Sequence, residues 1–415
     1  MKYQILQGDN RETLKTIADN SIDAIITDPP YGIDFLGKAW DANTGALETY
    51  AECLRVLKPG GYLLAFSAAR TYHHLAITLE QAGFEIRDQI MWLYSSGFPK
   101  AQDVGKNLHK KQTGERSYTI PAEDIPKLVR IEGDLYQHPD GYPVRKLPNT
   151  KGSGAADQYG GGKWKDTYER VVEVDNPWAG WKTALKPAHE PVAMARKPFK
   201  GSTTENVLEW GVGALNIDAT RIETDDVIVC GAGNNKTFDK FNAENNIDGP
   251  GTGVKINTNV PKWQQAEGGR FPSNVLGEVA GYQKYFYCPK VSRAERHIGF
   301  DTNNIPTGNN FGDGLKTGVD IMSKARGNNV GNNHPTVKPV ALMRYLIRLV
   351  TPPNSTVLDP FCGSGSTGMA AVELGHEFIG CELDPRYVSI AETRIRAWNT
   401  PDPTGTTFEE LFECK

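Results

Sequence analysis

Apolar positions along this chain fall into two patterns. Short unbroken runs, Ile22–Thr27, Tyr62–Phe66, Thr356–Asp359 and Phe378–Glu382, read as strands buried on both faces. The stretch Val340–Val350 places Leu342, Leu346, Ile347 and Val350 on one side, the spacing of a core-packed helix, with Pro339 suited to its first turn. Leu6–Asn10 closes a first short strand, and Met369–Gly375 is helix-forming. Gly83–Leu93 reads as a further strand, and His189–Ala195 as its partner at the sheet edge. Strands separated by helix-forming stretches predict an α/β fold with a doubly wound sheet.

Two long excursions interrupt this pattern. Residues 100–185 lie between the two edge strands, and Lys151–Lys163 within them is rich in Gly and Ala. Residues 199–333 include Gly231–Asn259 and Thr302–Asn333, crowded with Asn and Gly and expected to be loops. Between those loops, Phe271–Val275 and Tyr285–Lys290 look structured, and Lys290, Ser292 and Arg293 are candidates to face a nucleic acid.

Composition narrows the class. The 415 residues suffice for a full α/β core and a second lobe. There is no run of eighteen apolar residues, so no membrane partner is expected, and the chain opens on a strand pattern rather than a leader peptide. The six cysteines, at 53, 230, 288, 362, 381 and 414, form no C-x-x-C pair. No metal is therefore expected, and a reducing cytoplasm is the expected setting. The net charge of −4 looks wrong for a nucleic-acid partner, but it is unevenly spread. Residues 100–200 carry 18 basic and 13 acidic side chains, with Tyr136, Tyr142, Tyr159, Trp164 and Tyr168 interleaved. Phosphate contacts need local positive charge, not a basic whole protein.

The candidate chemistry sits at two strand ends. After Ile22–Thr27 comes Asp28-Pro29-Pro30-Tyr31, an acid, a rigid turn and an aromatic. Two prolines cannot continue a ladder. A planar group bearing an amine would stack on Tyr31 and donate its N–H protons to the Asp28 carboxylate and a neighbouring carbonyl. After Thr356–Leu358 comes Asp359-Pro360-Phe361-Cys362-Gly363-Ser364-Gly365-Ser366-Thr367-Gly368, a glycine turn between strand and helix, and then a strand ending at Glu382. That is a nucleoside-binding βαβ pattern, in which the terminal acid accepts from ribose hydroxyls. Acid Asp359 ahead of the glycines would repel a pyrophosphate and suits a cationic amino-acid group instead.

With these two segments the chain resembles the amino-methylating DNA methyltransferases of the β-class, permuted arrangement, in which the DPPY segment precedes the cofactor segment. The resemblance covers roughly residues 1–99, 186–198 and 271–397. It implies a Rossmann-like sheet with permuted strand order, a variable target-recognition lobe, S-adenosylmethionine as cofactor and double-stranded DNA as partner. On this scheme residues 1–99 are the catalytic half and 334–400 the cofactor half. Residues 186–198 are a sheet strand, 100–185 and 199–333 carry target recognition, and 401–415 form a tail. The location would be the cytoplasm, on the nucleoid, and a homodimer is plausible by resemblance.

The resemblance also implies roles. Asp28 and the Pro29 carbonyl accept the amine's N–H bonds, Pro30 holds the turn, and Tyr31 stacks on a flipped base. Asp9 lies near the cofactor adenine and Glu382 on its ribose. Asp28, Asp359, Pro360, Phe361, Gly363, Gly365 and Thr367 shape the cofactor pocket, and Thr336 and Lys338 close it. Asp before Pro-Pro-Tyr favours N6 of adenine, with N4 of cytosine as the alternative. An RNA or protein-glutamine methyltransferase and a non-catalytic DNA-binding protein are the rival classes. No nuclease pattern is present in the sequence.

Overall fold

Ile22–Thr27 is buried at all six positions, as its unbroken apolar run requires. It is the central strand of a computed structural model that describes residues 3–33, 43–94, 101–114, 120, 123–146, 168–171, 176–222, 271–277, 291–300 and 331–400. The strands in chain order are β1 (Tyr3–Gln7), β2 (Ile22–Thr27), β3 (Leu57–Phe66), β4 (Glu85–Leu93), β5 (Val129–Glu132), β6 (Leu135–Gln137), β7 (Pro143–Lys146), β8 (Tyr168–Arg170), β9 (His189–Arg196), β10 (Val275–Gly277), β11 (Thr356–Asp359) and β12 (Glu377–Glu382). The helices are α1 (Asn10–Thr13), α2 (Leu47–Val56), α3 (Tyr72–Gln81), α4 (Val104–Thr113), α5 (Thr203–Trp210), α6 (Arg293–Arg296), α7 (Val340–Val350), α8 (Ser366–Glu373) and α9 (Pro385–Trp398).

The main sheet has the order β1-β12-β11-β2-β3-β9-β4-β10. β12 and β1 lie to one side of β11, and β2 to the other, all parallel. The reversal of winding therefore falls between β11 and β2, where an α/β sheet opens a crevice at its carboxyl end. The two halves of that crevice come from opposite ends of the chain, which is the permuted order expected.

Side-chain alternation sorts the core onto both faces. Ala24, Ile26, Tyr62, Leu64 and Phe66 join α7, α8 and α9 residues in one cluster. Ile25, Leu63 and Ala65 join α2 and α3 residues in the other. Helix α7 buries eight of its eleven side chains, more than a one-sided helix would. Among the described residues no helix is long and apolar enough to cross a membrane.

Three details depart from the sequence reading. β9 does pair with β4, antiparallel, but it also pairs with β3 and so lies inside the sheet; β10 is the edge strand on that side. The reason is that β9 inserts between β3 and β4, which are close in sequence yet do not pair. The strand expected at Tyr62–Phe66 starts earlier: β3 already begins at Leu57, opposite Ile22, and residues 58–61 form a bulge before Tyr62 meets Ala24. Pro339 flanks α7 rather than opening its first turn, and the first-turn amide of Val340 donates to Glu295 Oε1 at 2.7 Å.

Within residues 100–185 lies a second, antiparallel sheet of order β5-β6-β7-β8. Its small core is Ile120, Val144 and Tyr168. Tyr136 meets Tyr168 edge-on at 5.1 Å, His138 stacks on Tyr142, and the Arg170 guanidinium lies 4.7 Å from the Tyr142 ring. Three of the interleaved aromatics thus hold this sheet together. Tyr159, Trp164, Lys151–Lys163, Gly231–Asn259, Tyr285–Lys290, residues 302–330 and the 401–415 tail lie outside the described residues.

Candidate active site

Asp28 leaves the carboxyl end of β2 with its side chain 14 % exposed. Its Oδ2 accepts from Lys338 Nζ at 2.6 Å, and its Oδ1 from the Tyr31 hydroxyl at 2.9 Å. The same hydroxyl lies 2.8 Å from Glu190 Oε2 on β9, and Lys338 Nζ is 3.5 Å from that oxygen. The ammonium also lies 5.4 Å from the Tyr31 ring centroid and 5.0 Å from that of Phe66. Two acids and two aromatic rings thus form a cage around one cation. Burial pushes the Asp28 carboxyl up, against the pull of Lys338. Burial also works against the charge on Lys338, but Asp28 and Glu190 outweigh it and raise the ammonium above its ordinary value. Burial and the two carboxylates together push the Tyr31 hydroxyl well up, so it stays protonated. Pro29 is buried and Pro30 half-buried behind this cluster.

Asp359, one strand over, is 3 % exposed and fully engaged. Thr27 Oγ1 donates to its Oδ1 at 2.7 Å, Thr367 Oγ1 to its Oδ2 at 2.6 Å, and the Phe361 amide to Oδ1 at 3.1 Å. Burial pushes its carboxyl up to about 6. This acid braces β2, β11 and the start of α8 into one unit. Pro360 is anchored from the other side, its carbonyl accepting from Asn10 Nδ2 at 2.9 Å.

The glycine turn follows. Gly363 and Gly365 have φ of +53° and +80°, a region L side chains rarely adopt. A Cβ on Gly363 would come within 2.9 Å of His334 Nε2, and one on Gly365 within 3.0 Å of Ala391. Glu382, ending β12, accepts from the Gly363 amide at 2.8 Å and the Asp384 amide at 2.9 Å. Burial raises its carboxyl despite those bonds. One cleft is lined by Asp28, Thr336, Lys338, Asp359, Phe361, Gly363 and Thr367 among others. Asp9 stands apart from it, near Glu382 through the β1–β12 pairing, and its carboxylate caps α1 and binds Arg11.

Three contributors were not among the site residues named from the sequence. Glu190 was visible only as a neighbour of His189, and its partner Tyr31 is 159 residues away. His334 lies against the glycine turn, its Nδ1 3.2 Å from the Thr336 carbonyl, and burial pushes it down to about 3. Arg394, fully buried on α9, donates to the Ser364 carbonyl and Ser364 Oγ, and so clamps the turn from below. Ser292, read as a candidate to face nucleic acid, is exposed and caps α6 by accepting from the Glu295 amide.

The donor set fits S-adenosylmethionine. The cleft offers acids, the Phe361 ring and glycine backbone, and its Lys338 is already neutralised by Asp28 and Glu190. A phosphate would find no uncompensated cation among the described lining residues.

Comparison with known proteins agrees with this chemistry. The family described as DNA methylase matches residues 22–124 and 148–393. The Type II methyltransferase M.HindIII of Haemophilus influenzae is 23 % identical over 437 aligned positions, covering 94 % of each protein. Among solved structures, the M1.HpyAVI–SAM complex aligns with 95 % of this chain and 98 % of its own at 17 % identity and TM-score 0.39. PvuII DNA methyltransferase, described as cytosine-N4-specific, aligns with 95 % of this chain and 86 % of its own at 13 % identity and TM-score 0.41.

Proposed function

The chain belongs to the N6/N4 DNA methylase family of S-adenosylmethionine-dependent amino-methyltransferases, and from that premise we propose that it methylates the exocyclic amine of a base flipped out of duplex DNA. The observation that carries this reading is the Asp28 carboxylate, half-buried at the switch point beside the glycine turn and next to Tyr31.

An aryl amine is a poor nucleophile because its lone pair is delocalised into the ring. Asp28 and the Pro29 carbonyl accept its two N–H bonds and draw the nitrogen toward a tetrahedral form. S-adenosylmethionine supplies a methyl group on a positively charged sulfur. As nitrogen gains charge, Asp28 offsets it, and the departing N–H proton leaves through an Asp28 oxygen. Alignment and charge placement, rather than a strong base, give the acceleration. Tyr31 provides the stacking face for a base that no duplex stack would expose. Glu382, Gly363, Phe361 and Thr336 hold the cofactor, Asp359 keeps the turn in place, and Asp9 serves the adenine end. The excursions at 100–185 and 199–333 supply the target contacts, where sequence is read from base edges.

We take N6 of adenine as the target, because the acid ahead of Pro-Pro-Tyr is an aspartate. N4 of cytosine is the second reading, since the same two acceptors receive its amine equally well and the family takes in both amines. Incubation with unmodified genomic DNA and labelled cofactor, followed by mass spectrometry of the nucleosides, tests both. N6-methyladenine is the expected product. N4-methylcytosine alone would overturn the adenine assignment, and label in neither would overturn DNA methylation.

A further inference from the structure

Lys338 is held where the reaction needs it least. An ammonium 2.6 Å from Asp28 Oδ2 neutralises the carboxylate that must face a nitrogen gaining positive charge. Lys338 is only 6 % exposed, so it cannot retreat into solvent without rearranging the segment ahead of α7. Among the described residues one other acid stands within reach, Glu190, whose Oε2 is 3.5 Å from the same Nζ. Tyr31 makes a transfer between them balanced. Its hydroxyl lies 2.9 Å from Asp28 and 2.8 Å from Glu190, and its single proton serves one carboxylate at a time. With Lys338 on Asp28, the Tyr31 proton serves Glu190; with Lys338 on Glu190, it serves Asp28. Each acid keeps a donor in both arrangements, so neither leaves a bare buried charge. The Tyr94 hydroxyl also hydrogen-bonds Glu190.

We propose that Glu190 is a positioning residue that takes the Lys338 ammonium from Asp28 when the target amine enters, freeing Asp28 Oδ2 to accept the amine's N–H. The inference rests on the methyl-transfer reading above, but not on which base carries the amine. No covalent bond is made or broken in the handover; one ion pair exchanges for another and one hydroxyl proton turns.

A double-mutant cycle tests it, read as the single-turnover rate of methyl transfer to unmodified genomic DNA. Glu190→Gln leaves Lys338 no second acid, and the rate is expected to fall about 10²-fold, the scale of one preorganised charge contact. Cofactor affinity, measured by calorimetry, stays within about threefold. Lys338→Met alone should also lower the rate, because burial and Glu190 then favour the protonated Asp28 carboxyl, but by less than Glu190→Gln does, since no ammonium blocks Oδ2. Adding Lys338→Met to Glu190→Gln should restore the rate to that of Lys338→Met. A double variant as slow as the product of the two single defects would overturn the proposal, because Glu190 would then act without Lys338; so would a wild-type rate for Glu190→Gln. Should Glu190→Gln not fold, Glu190→Asp replaces it. Its shorter arm keeps the charge farther from Nζ, and its rate should be intermediate and again rescued by Lys338→Met. A wild-type protein that methylates no DNA amine overturns the underlying reading first, whereas an active wild type with multiplicative defects overturns this inference alone.

Discussion

Asp28→Asn changes the candidate site by one charge and almost no volume. The amide oxygen of the substituted side chain still accepts from the Tyr31 hydroxyl, but its NH2 group would face the Lys338 ammonium, donor against donor, where a 2.6 Å ion pair stood. Removing one partner of a buried pair ordinarily costs about 3–5 kcal/mol. Here Glu190 lies 3.5 Å from the same ammonium and retains it, so the loss in folding stability should stay below that range. The catalytic loss is not cushioned, because no other acid takes the place of Asp28 at the end of β2. A preorganised group aimed at developing charge contributes about 10²–10³-fold in rate, or about 2.7–4 kcal/mol. Single-turnover transfer of labelled methyl to unmodified DNA should fall by that factor. Cofactor affinity and the urea midpoint should move far less. A variant that transfers methyl at the wild-type rate would refute the role assigned to Asp28. One that loses cofactor affinity in proportion to rate would make Asp28 a cofactor ligand instead.

Other parts of the site give further measurable outcomes. Glu382→Ala removes the acceptor of two turn amides and the expected ribose partner, and calorimetry should show cofactor affinity falling about 10–100-fold, the weight of one or two bonds to a charged group. Arg394→Leu strips the turn of its buried clamp and leaves the Ser364 carbonyl without that donor; urea unfolding should show a loss of about 3 kcal/mol, with cofactor affinity reduced as well. Asp359, with its carboxyl raised from 3.8 to about 6, binds its proton more tightly folded than unfolded, so its contribution falls as pH rises from about 4 through about 6. Asp359→Asn should therefore gain stability relative to wild type over that window, by on the order of 3 kcal/mol at most, in paired denaturation curves at pH 4 and 7; a difference independent of pH would refute the burial of an ionisable acid there.

The sheet's inner strands were legible because burial on both faces leaves continuous apolar runs, as in β2, β11 and β12. The turn at 363–368 was legible because its glycines, preceding strand and terminal acid all fall within one βαβ unit. β5 to β8 left no such trace: they run three or four residues, and β5 is exposed throughout, so no periodicity accumulates. The inner position of β9 was equally silent, since pairing with β4 is compatible with an edge or an interior place and only the contact with β3 decides. Glu190 was missed for the same reason. An acid at the start of a strand says nothing local about a tyrosine 159 residues earlier in the chain.

The interior position of β9 also explains how a second carboxylate reaches the site. β2 supplies Asp28 and β11 the glycine turn, and the Thr27–Asp359 bond ties those two strand ends whatever the intervening chain does. That pair alone would leave Lys338 with Asp28 as its only acid. β9 enters between β3 and β4 with Glu190 opposite Trp92, and delivers a second carboxylate to the cage. The excursion at 100–185, proposed for target contacts, leads straight into that strand. A contact that shifts the excursion on DNA would then bear on Glu190, and through it on the charge available at Asp28. Target recognition and amine activation would share a strand rather than only a surface.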